Sequence, residues 1–292
     1  SFKPAKQKKN YVLGLATGST PVGLYQHLID NQEKFNSADV ISFNLDEYVG
    51  LPGENAQLRT LHPESYSYFM IKKLFGKLKT PFAKTYVPFG TLICQEELIA
   101  ALKKSKDDFE IKGSDKGKAV VIKASAKNPL LKMIKKDILD AYEKSIAKAG
   151  GIDLQIIGVG GRGHVAFHES GIPLNHKMLL VKLDDNTIQN AVKDGHFATV
   201  EDSPNYAISL GAALVYKAKT VMLLANGERK IRPVAESILG PVTADVPISY
   251  GQKFSADGGN MIYILDVIAA SGLKGKEKEL KAKGIKVIDK TK

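Results

Sequence analysis

The chain has 292 residues, 43% hydrophobic and 25% charged, a composition typical of globular proteins and sufficient for one large α/β domain or two small ones. No apolar run approaches the roughly 18–20 residues of a membrane-spanning helix. Residues 1–10 are polar and basic, without the apolar stretch of a signal peptide. The single cysteine, Cys94, can form no internal disulfide and lies in no metal-ligand pattern, which favours a reducing cytoplasm and disfavours structural zinc.

The formal net charge of +11 allows two interpretations, nucleic-acid binding or an anionic small substrate. Residues 271–292 contain eight lysines and three acids, and more lysines lie within residues 103–136. These segments lack the interleaved aromatic side chains of single-strand binders, and the chain contains no nucleic-acid-binding motif. The sequence therefore favours an anionic small molecule.

Strands and helices are predicted to alternate along the chain. Residues 11–15 form a short apolar strand, and Pro21 begins a helix over residues 22–31. Residues 40–45 form the next strand, and His62-Pro63 begins a helix that extends to about residue 78.

In the second half of the chain, Asn128 is the expected N-cap of a helix that ends at Gly150-Gly151. Strands are predicted at residues 154–159, 220–225 and 261–267, with a helix or a strand and turn at 206–215. Continuous apolar strands that alternate with helices indicate an α/β fold with a mostly parallel central sheet covered on both faces.

One lysine-rich polar stretch, residues 103–127, interrupts this alternation. Within it, residues 109–113 and 118–124, joined by Ser-Asp-Lys-Gly, are typical of a β-hairpin. We expect a surface insertion there rather than a second domain, so that residues 1–292 form a single domain.

A glycine-dense loop follows the predicted strand at residues 154–159. Glycines 158, 160, 161 and 163 allow a sharp turn and a close approach to a ligand, and His164 and Glu169 follow them. Ligands of parallel α/β sheets bind beyond the carboxyl ends of the strands, and a histidine beside a carboxylate can transfer protons near neutral pH. The pattern predicts a catalytic loop; the alternative is a helix-starting loop with Glu169 on the surface.

Three other turns also follow predicted strands. Residues 16–21 (Ala-Thr-Gly-Ser-Thr-Pro) offer hydroxyls and helix N-terminal N–H groups to an anion, or form a plain capped turn. Asp46 is a candidate general base, or part of an exposed acidic turn. Lys230 is a candidate cation at the rim of the site, or part of a solvated charge cluster. Together the four turns favour a phosphorylated, polyhydroxylated substrate that undergoes proton transfer.

Four segments resemble the glucosamine-6-phosphate deaminase (isomerase) family: Leu13-Gly-Leu-Ala-Thr-Gly-Ser-Thr-Pro21, Phe43-Asn-Leu-Asp-Glu-Tyr-Val-Gly-Leu-Pro52, His62-Pro-Glu-Ser-Tyr-Ser-Tyr-Phe-Met70 and Gly163-His-Val-Ala-Phe-His-Glu169. The resemblance covers residues 11–267. It implies a Rossmann-like three-layer α/β/α domain and conversion of glucosamine 6-phosphate to fructose 6-phosphate and ammonia, without metal or organic cofactor. A sugar phosphate is the expected partner in a cytoplasmic enzyme, with no nucleic acid or membrane involved and with self-association into a homo-oligomer left open.

The resemblance also implies roles for individual residues. Asp46 is the expected base that moves the C2 proton, and His164 the ring-opening acid/base with Glu169 as its partner. The expected phosphate-binding residues are Thr17, Gly18, Ser19, Thr20, Lys193 and Lys230. Of these, Lys193 stands where the family's lid brings an arginine, and it keeps the charge without the bidentate fork.

The chain departs from the family pattern next to these residues. Arg162 stands where the family has an aspartate two residues before the loop histidine, so we include it among the candidate catalytic residues. A guanidinium close to His164 would lower the histidine pKa, whereas Arg162 can also swing out, pair with Glu169 or contact substrate. His168-Glu169-Ser170 replaces Asn-Glu-Pro, and His168 is expected to add a second titrating group.

Other departures concern regulation and length. Leu179 and Val181 stand where basic residues bind an allosteric amino-sugar phosphate in some members, so no such activation is expected. The family's strand and helix before Tyr11 are expected to be absent, and residues 53–60, like 103–127, look like an insertion that alters oligomer contacts.

Two other functions stay open. One is a 6-phosphogluconolactonase-like hydrolase, which shares the fold and a Gly-His loop but fits residues 46–52 poorly. The other is a catalytically altered sugar-phosphate-binding relative, with Arg162 as an added anion contact.

Overall fold

The computed structural model describes residues 10–114 and 117–291. The strands in this part of the chain are β1 Tyr11–Leu15, β2 Val40–Asn44, β3 Asp46–Val49, β4 Lys84–Tyr86, β5 Phe109–Lys112, β6 Lys118–Ile122, β7 Leu154–Ile157, β8 Met178–Lys182, β9 Tyr206–Leu210, β10 Thr220–Ala225 and β11 Asn260–Leu265. They form a six-stranded sheet in the order β11-β10-β7-β1-β2-β4 and a five-stranded sheet in the order β3-β9-β8-β6-β5.

All neighbouring strands of the six-stranded sheet are parallel. From β1 the strand order runs outward through β2 to β4, and from β7 it runs outward through β10 to β11. The order therefore reverses between β1 and β7, and in open α/β sheets a crevice for ligands forms at such a reversal, beyond the carboxyl ends of the strands.

Helices flank this sheet and complete the predicted three-layer α/β/α arrangement. The α-helices of the described residues are α1 Val22–Asp30, α2 Ala56–Thr60, α3 Tyr66–Lys73, α4 Gln95–Lys104, α5 Pro129–Met133, α6 Ala141–Lys148, α7 Asp185–Lys193, α8 Ala212–Val215, α9 Ile231–Leu239, α10 Tyr250–Ala256 and α11 Glu277–Ala282. A π-helical segment, Ile134–Asp140, joins α5 to α6. Within the described residues, no helix is both long enough and apolar enough to cross a membrane.

The main hydrophobic core lies between the parallel sheet and its helices. Phe43 of β2 is fully buried, stacks on Tyr86 at 4.6 Å between ring centroids and meets the edge of Tyr142 at 5.6 Å. The Tyr142 hydroxyl donates to the backbone oxygen of Asn44 at 2.8 Å. These contacts fix α6 against the carboxyl end of β2, where the chain turns into the candidate site.

The second sheet is antiparallel throughout and was not predicted from the sequence. Only Leu45 separates β2 from β3, so the chain passes from one sheet to the other within a single residue. Asp46, the first residue of β3, pairs with Ser209 of β9. The end of the predicted strand at residues 40–45 is therefore the junction of the two sheets.

The predicted hairpin at residues 109–124 is confirmed as β5 paired with β6, but its placement on the surface is wrong for β6. That strand pairs with β8 on its other side, and most of its side chains are buried. Asp115 and Lys116 of the predicted turn lie outside the described residues, as do residues 1–9 and 292 of the expected domain. The assignment of residues 103–127 as an insertion, and of the chain as a single domain, stays a prediction.

Several element boundaries also differ from the predictions, and one alternative is decided. The helix expected at residues 62–78 begins at Tyr66, because Ser65 caps it by accepting the Tyr68 N–H at 3.4 Å. It ends at Lys73. A short 3-10 turn, Phe75–Lys77, follows it. Residues 206–215 are a strand and turn, with β9 followed by the one-turn helix α8.

Candidate active site

Most of the predicted functional residues follow four neighbouring strands, β10, β7, β1 and β2; Asp46 is the first residue of β3, just after β2, and Lys193 lies on α7. Two hydrogen bonds tie the loops after three of these strands together. The Thr20 hydroxyl donates to the Asn226 side-chain oxygen at 3.0 Å, and the Lys230 ammonium donates to the backbone oxygen of Val159 at 2.7 Å. The sheet therefore brings the loops after β1, β7 and β10 to one edge, at the reversal of strand order.

The turn after β1 leaves backbone N–H groups available at the start of α1. Gly18 has a φ of +106°, a conformation that favours glycine, and Pro21 precedes the helix without any side-chain cap. Thr17 and Thr20 are half-buried and Ser19 is exposed. Uncapped N–H groups and hydroxyls at a helix N-terminus suit an anionic group.

Lys230 and Lys193 supply positive charge from two different elements. Burial, and next the nearby charge of Arg229, lowers the pKa of Lys230. Lys193 is exposed on the last turn of α7. The neighbouring Asp194 pairs with Arg229 at 2.9 Å, which brings the end of α7 close to the loop that carries Lys230.

Asp46 is a buried carboxyl group with little to stabilise its charge. Burial, and next the negative charge of Glu47, raises the pKa of Asp46 to about 8. No hydrogen bond reaches its carboxyl group from the described part of the chain. A carboxyl group that holds a proton this strongly is a better base than an exposed aspartate, as proton abstraction from carbon requires.

Glu47, the next residue, has the opposite surroundings. Its carboxylate accepts hydrogen bonds from the N–H groups of Tyr48, Tyr66 and Ser67 and from the hydroxyls of Ser65 and Ser67, at 2.9–3.0 Å. The side chain is fully buried at the N-terminus of α3, where a negative charge is favourable. Burial still raises the pKa of Glu47, although these hydrogen bonds oppose the rise. This arrangement makes Glu47 a structural residue.

His164 and Glu169 lie together, as the loop motif predicted. The His164 Nδ1 is 3.3 Å from Glu169 Oε2, and the exposed fractions of the two side chains are 22% and 2%. Burial acts to raise the pKa of Glu169, but the charge of His164 and hydrogen bonds from His164, Thr187 and Asp184 hold it below its usual range. The ionised carboxylate orients Nδ1, so that Nε2 is the ring nitrogen left for proton transfer.

Two glycines are required by contacts with this pair. A Cβ at position 160 would overlap the His164 ring, and one at position 117 would overlap the Glu169 side chain. The second contact places the start of β6, and with it the lysine-rich hairpin, against the buried face of Glu169. The segment expected on the surface thus helps to shield this carboxylate from water.

The loop backbone is fixed to the strand that carries Asp46. Ala166 has a φ of +52°, in the left-handed region that non-glycine residues rarely adopt. Its neighbour Phe167 donates its N–H to the Ser209 hydroxyl at 3.0 Å and packs on Tyr48 at 5.3 Å between ring centroids. Ser209 is also the strand partner of Asp46, so β3, β9 and the loop hold one another in place.

His168 is not the second titrating group that we expected near neutral pH. Burial lowers its pKa to about 4. Its Nδ1 accepts the Ala212 N–H at 3.0 Å, so its Nε2 carries the proton and donates to the Ile172 oxygen, also at 3.0 Å. Both ring nitrogens are used by the backbone, and His168 is a neutral structural histidine.

Arg162 pairs with an acid that was not predicted. Its Nη1 is 2.7 Å from Oδ2 of Asp184, the N-cap residue of α7. Among the alternatives considered for Arg162, pairing with Glu169 is therefore wrong for this structure.

Sequence reasoning missed Asp184, Ser209 and the structural role of Glu47. The run Asp184-Asp185-Asn186 is a recognisable helix start, whereas Ser209 lies within an apolar strand without any signal. In residues 10–114 and 117–291, no three His, Cys, Asp or Glu side chains are grouped to hold a metal ion.

The chain is similar in sequence to several glucosamine-6-phosphate deaminases. That of Lactobacillus helveticus is 37% identical over 277 residues, which cover 95% of this chain and 92% of that protein. That of Oenococcus oeni is 36% identical over 275 residues, covering 94% and 92%. The chain belongs to the glucosamine-6-phosphate deaminase family. No protein-family model matches it.

Solved structures show that the deaminase family's fold is shared more widely. A monomeric glucosamine-6-phosphate deaminase has a TM-score of 0.65 and 23% identity, covering 91% of this chain and 90% of that chain. The 6-phosphogluconolactonase of Thermotoga maritima has a TM-score of 0.53 and 16% identity, covering 89% and 86%. At these identities the likeness concerns the fold alone.

Proposed function

We propose that this chain converts glucosamine 6-phosphate and water to fructose 6-phosphate and ammonia. The observation that carries the proposal is Asp46, a buried carboxyl group with a raised pKa just after β2, the strand beside β1 at the reversal of strand order. In this reaction Asp46 takes the proton from C2 of the opened sugar and returns it to C1. Water then replaces the amino group at C2, which leaves as ammonia.

Ring opening is assigned to His164. Its Nε2 moves a proton between the C1 hydroxyl and the ring oxygen, while Glu169 holds the ring orientation from Nδ1. Glu169 is well placed for this role because its carboxylate is buried and stays ionised.

The phosphate group is assigned to the turn at Thr17, Gly18, Ser19 and Thr20, together with Lys230 and Lys193. The Lys230 ammonium has three N–H donors. One donates to the Val159 oxygen, so two remain for phosphate oxygens. Lys193 lies on α7, next to the Asp194–Arg229 pair that brings this helix close to Lys230. The two lysines balance a phosphate dianion.

The test is the production of ammonia and fructose 6-phosphate from glucosamine 6-phosphate by the parent and by Asp46→Asn. We expect turnover by the parent and a fall in kcat of at least about 10³-fold in the variant, since Asn cannot accept the C2 proton. The matched control is Asp107→Asn, which changes an exposed aspartate before β5 and should keep parental kcat.

The two rival functions are outcomes of the same experiment. Hydrolysis of 6-phosphogluconolactone without ammonia release would replace the proposal with the lactonase. Lactone hydrolysis abstracts no proton from carbon, so it gives no reason for a carboxyl group with the raised pKa of Asp46. Thermal stabilisation by sugar phosphates without turnover would indicate the catalytically altered relative.

We also propose that the enzyme works in the cytoplasm on this small molecule, without a nucleic-acid or membrane partner. The single cysteine, which suits a reducing compartment, supports the location. Assembly into a homo-oligomer is a further proposal, which light scattering of the purified protein tests.

A further inference from the structure

Arg162 lies at the outer end of a series of four linked charged residues. Its side chain is 43% exposed and pairs at 2.7 Å with Asp184, whose side chain is only 6% exposed. The Asp184 N–H donates to Glu169 Oε1 at 3.4 Å, and Glu169 Oε2 faces His164 Nδ1 at 3.3 Å. The order is therefore Arg162, Asp184, Glu169, His164.

Asp184 also determines where α7 begins. Its Oδ1 accepts the Asn186 N–H at 3.0 Å, and its backbone oxygen accepts the Ile188 N–H at 3.1 Å. The same residue thus contacts the carboxylate beside His164 and caps the helix that carries Lys193. Any shift of Asp184 moves both.

The charges of this series explain why an arginine suits its outer end. Asp184 and Glu169 are both buried acids, and a buried carboxylate is unfavourable unless a cation or hydrogen bonds balance it. Glu169 has His164 as its partner at 3.3 Å, and Asp184 has Arg162 at 2.7 Å. Arg162 supplies its positive charge at every pH, so the buried Asp184 keeps a cation throughout.

We propose that Arg162 is a positioning residue, which acts through Asp184 to hold Glu169 and the start of α7 in place. The inference rests on the proposed deaminase function. Nη1 of Arg162 is held by Asp184, and the Asp184 N–H reaches Glu169, so the arginine is linked to Glu169 through Asp184. The same ion pair directs the positive charge of Arg162 toward Asp184 and not toward His164.

The test compares kcat and KM of the deaminase reaction in Arg162→Ala, Asp184→Asn and the double variant. Asparagine is also a good N-cap, so Asp184→Asn removes the charge and keeps the cap. We expect each single variant to lower kcat about 10–100-fold through misplacement of Glu169, with KM within about threefold of the parent. If Arg162 acts through Asp184, the double variant is no slower than the slower single variant.

Two further readouts separate positioning from a general loss of structure. Arg162→Lys keeps the charge and should recover part of the lost kcat. The profile of kcat/KM against pH should differ between the parent and Arg162→Ala, because the variant removes a fixed positive charge from the residues that hold Glu169 beside His164. The matched control is Arg232→Ala, which breaks a 2.7 Å pair with Glu236 in which the arginine is 83% exposed, and it should leave kcat, KM and the profile unchanged.

Two results would overturn the inference. One is a KM raised more than about tenfold in Arg162→Ala beside parental values in Asp184→Asn, which would place Arg162 on the substrate. The other is parental kcat in both variants.

Hydrogen exchange of the α7 amides gives a readout without turnover: exchange should quicken in Arg162→Ala and Asp184→Asn but not in Arg232→Ala. If the parent releases no ammonia, the proposed function fails, and this exchange still decides the role of Arg162.

Discussion

The start of β3 and the loop after β7 each contain two side chains of the same chemical type in opposite surroundings. At the start of β3, the Glu47 carboxylate accepts five hydrogen bonds, whereas no hydrogen bond from the described residues reaches the Asp46 carboxyl group. In the loop, the backbone uses both ring nitrogens of His168, whereas the His164 ring faces the side chain of Glu169.

The difference between the members of each pair is hydrogen-bond saturation, not residue type. Burial does not separate the two acids, since Asp46 and Glu47 are both buried, although it does distinguish the buried His168 from His164, whose side chain is 22% exposed. A saturated side chain cannot take up a substrate proton without losing native contacts, whereas an unsaturated one can. In each region one member therefore stabilises the fold and the other is free for chemistry.

The two histidines give the sharpest contrast. His164→Gln should lower kcat about 10²–10⁴-fold, the usual loss when a general acid/base is removed. His168→Gln should keep kcat within about threefold at temperatures where the variant is folded, since His168 faces only backbone groups. Steady-state assays of ammonia release at 15 °C, with circular dichroism to check folding, provide the measurement. Equal losses of kcat in the two variants would mean that His164 and His168 do not differ in their roles as reactive and structural histidines.

The two acids differ in stability rather than in rate. Glu47→Gln should lower the free energy of unfolding by about 2–4 kcal/mol, because an amide nitrogen replaces an oxygen that accepts hydrogen bonds at the start of α3. Urea unfolding beside Glu97→Gln, which changes an exposed glutamate of α4, measures the difference. A Glu47→Gln variant of parental stability that lost turnover would make Glu47 the reactive acid instead.

Much of the site's location could be predicted, because it depends on local sequence signals. Apolar strands followed by Gly, Ser/Thr, acidic and basic turns mark the carboxyl ends of parallel strands, and β1 and β10 begin and end where predicted. The pairing of His164 with Glu169 follows from five residues of separation in one loop.

Contacts between distant segments could not be predicted, because a pattern reports periodicity and not the identity of a partner. Arg162 and Asp184 are 22 residues apart, and neither residue type specifies the other. The second sheet was missed for the same reason. β3 begins one residue after β2 with Asp46 and Glu47, which the pattern assigns to a turn, so the change of partner strand at Leu45 was not recognised.

The smallest expected effect is the acid sensitivity that His168 gives to the fold. Its pKa is about 4 in the folded chain against a usual value of 6.5, so between these pH values the unfolded chain binds the extra proton. Stability is then lost as the pH falls from 6.5 to 4, by up to about 1.4 kcal/mol per pH unit, and this contribution is fully present above pH 6.5.

Melting curves of the parent and His168→Gln at pH 7.5, 6.0 and 5.0 isolate the contribution of His168, because all other groups titrate in both proteins. The parent should lose about 2–5 °C more per pH unit than the variant below pH 6. Parallel melting profiles would mean that burial does not hold His168 neutral, and the contrast with His164 would then lose its physical basis.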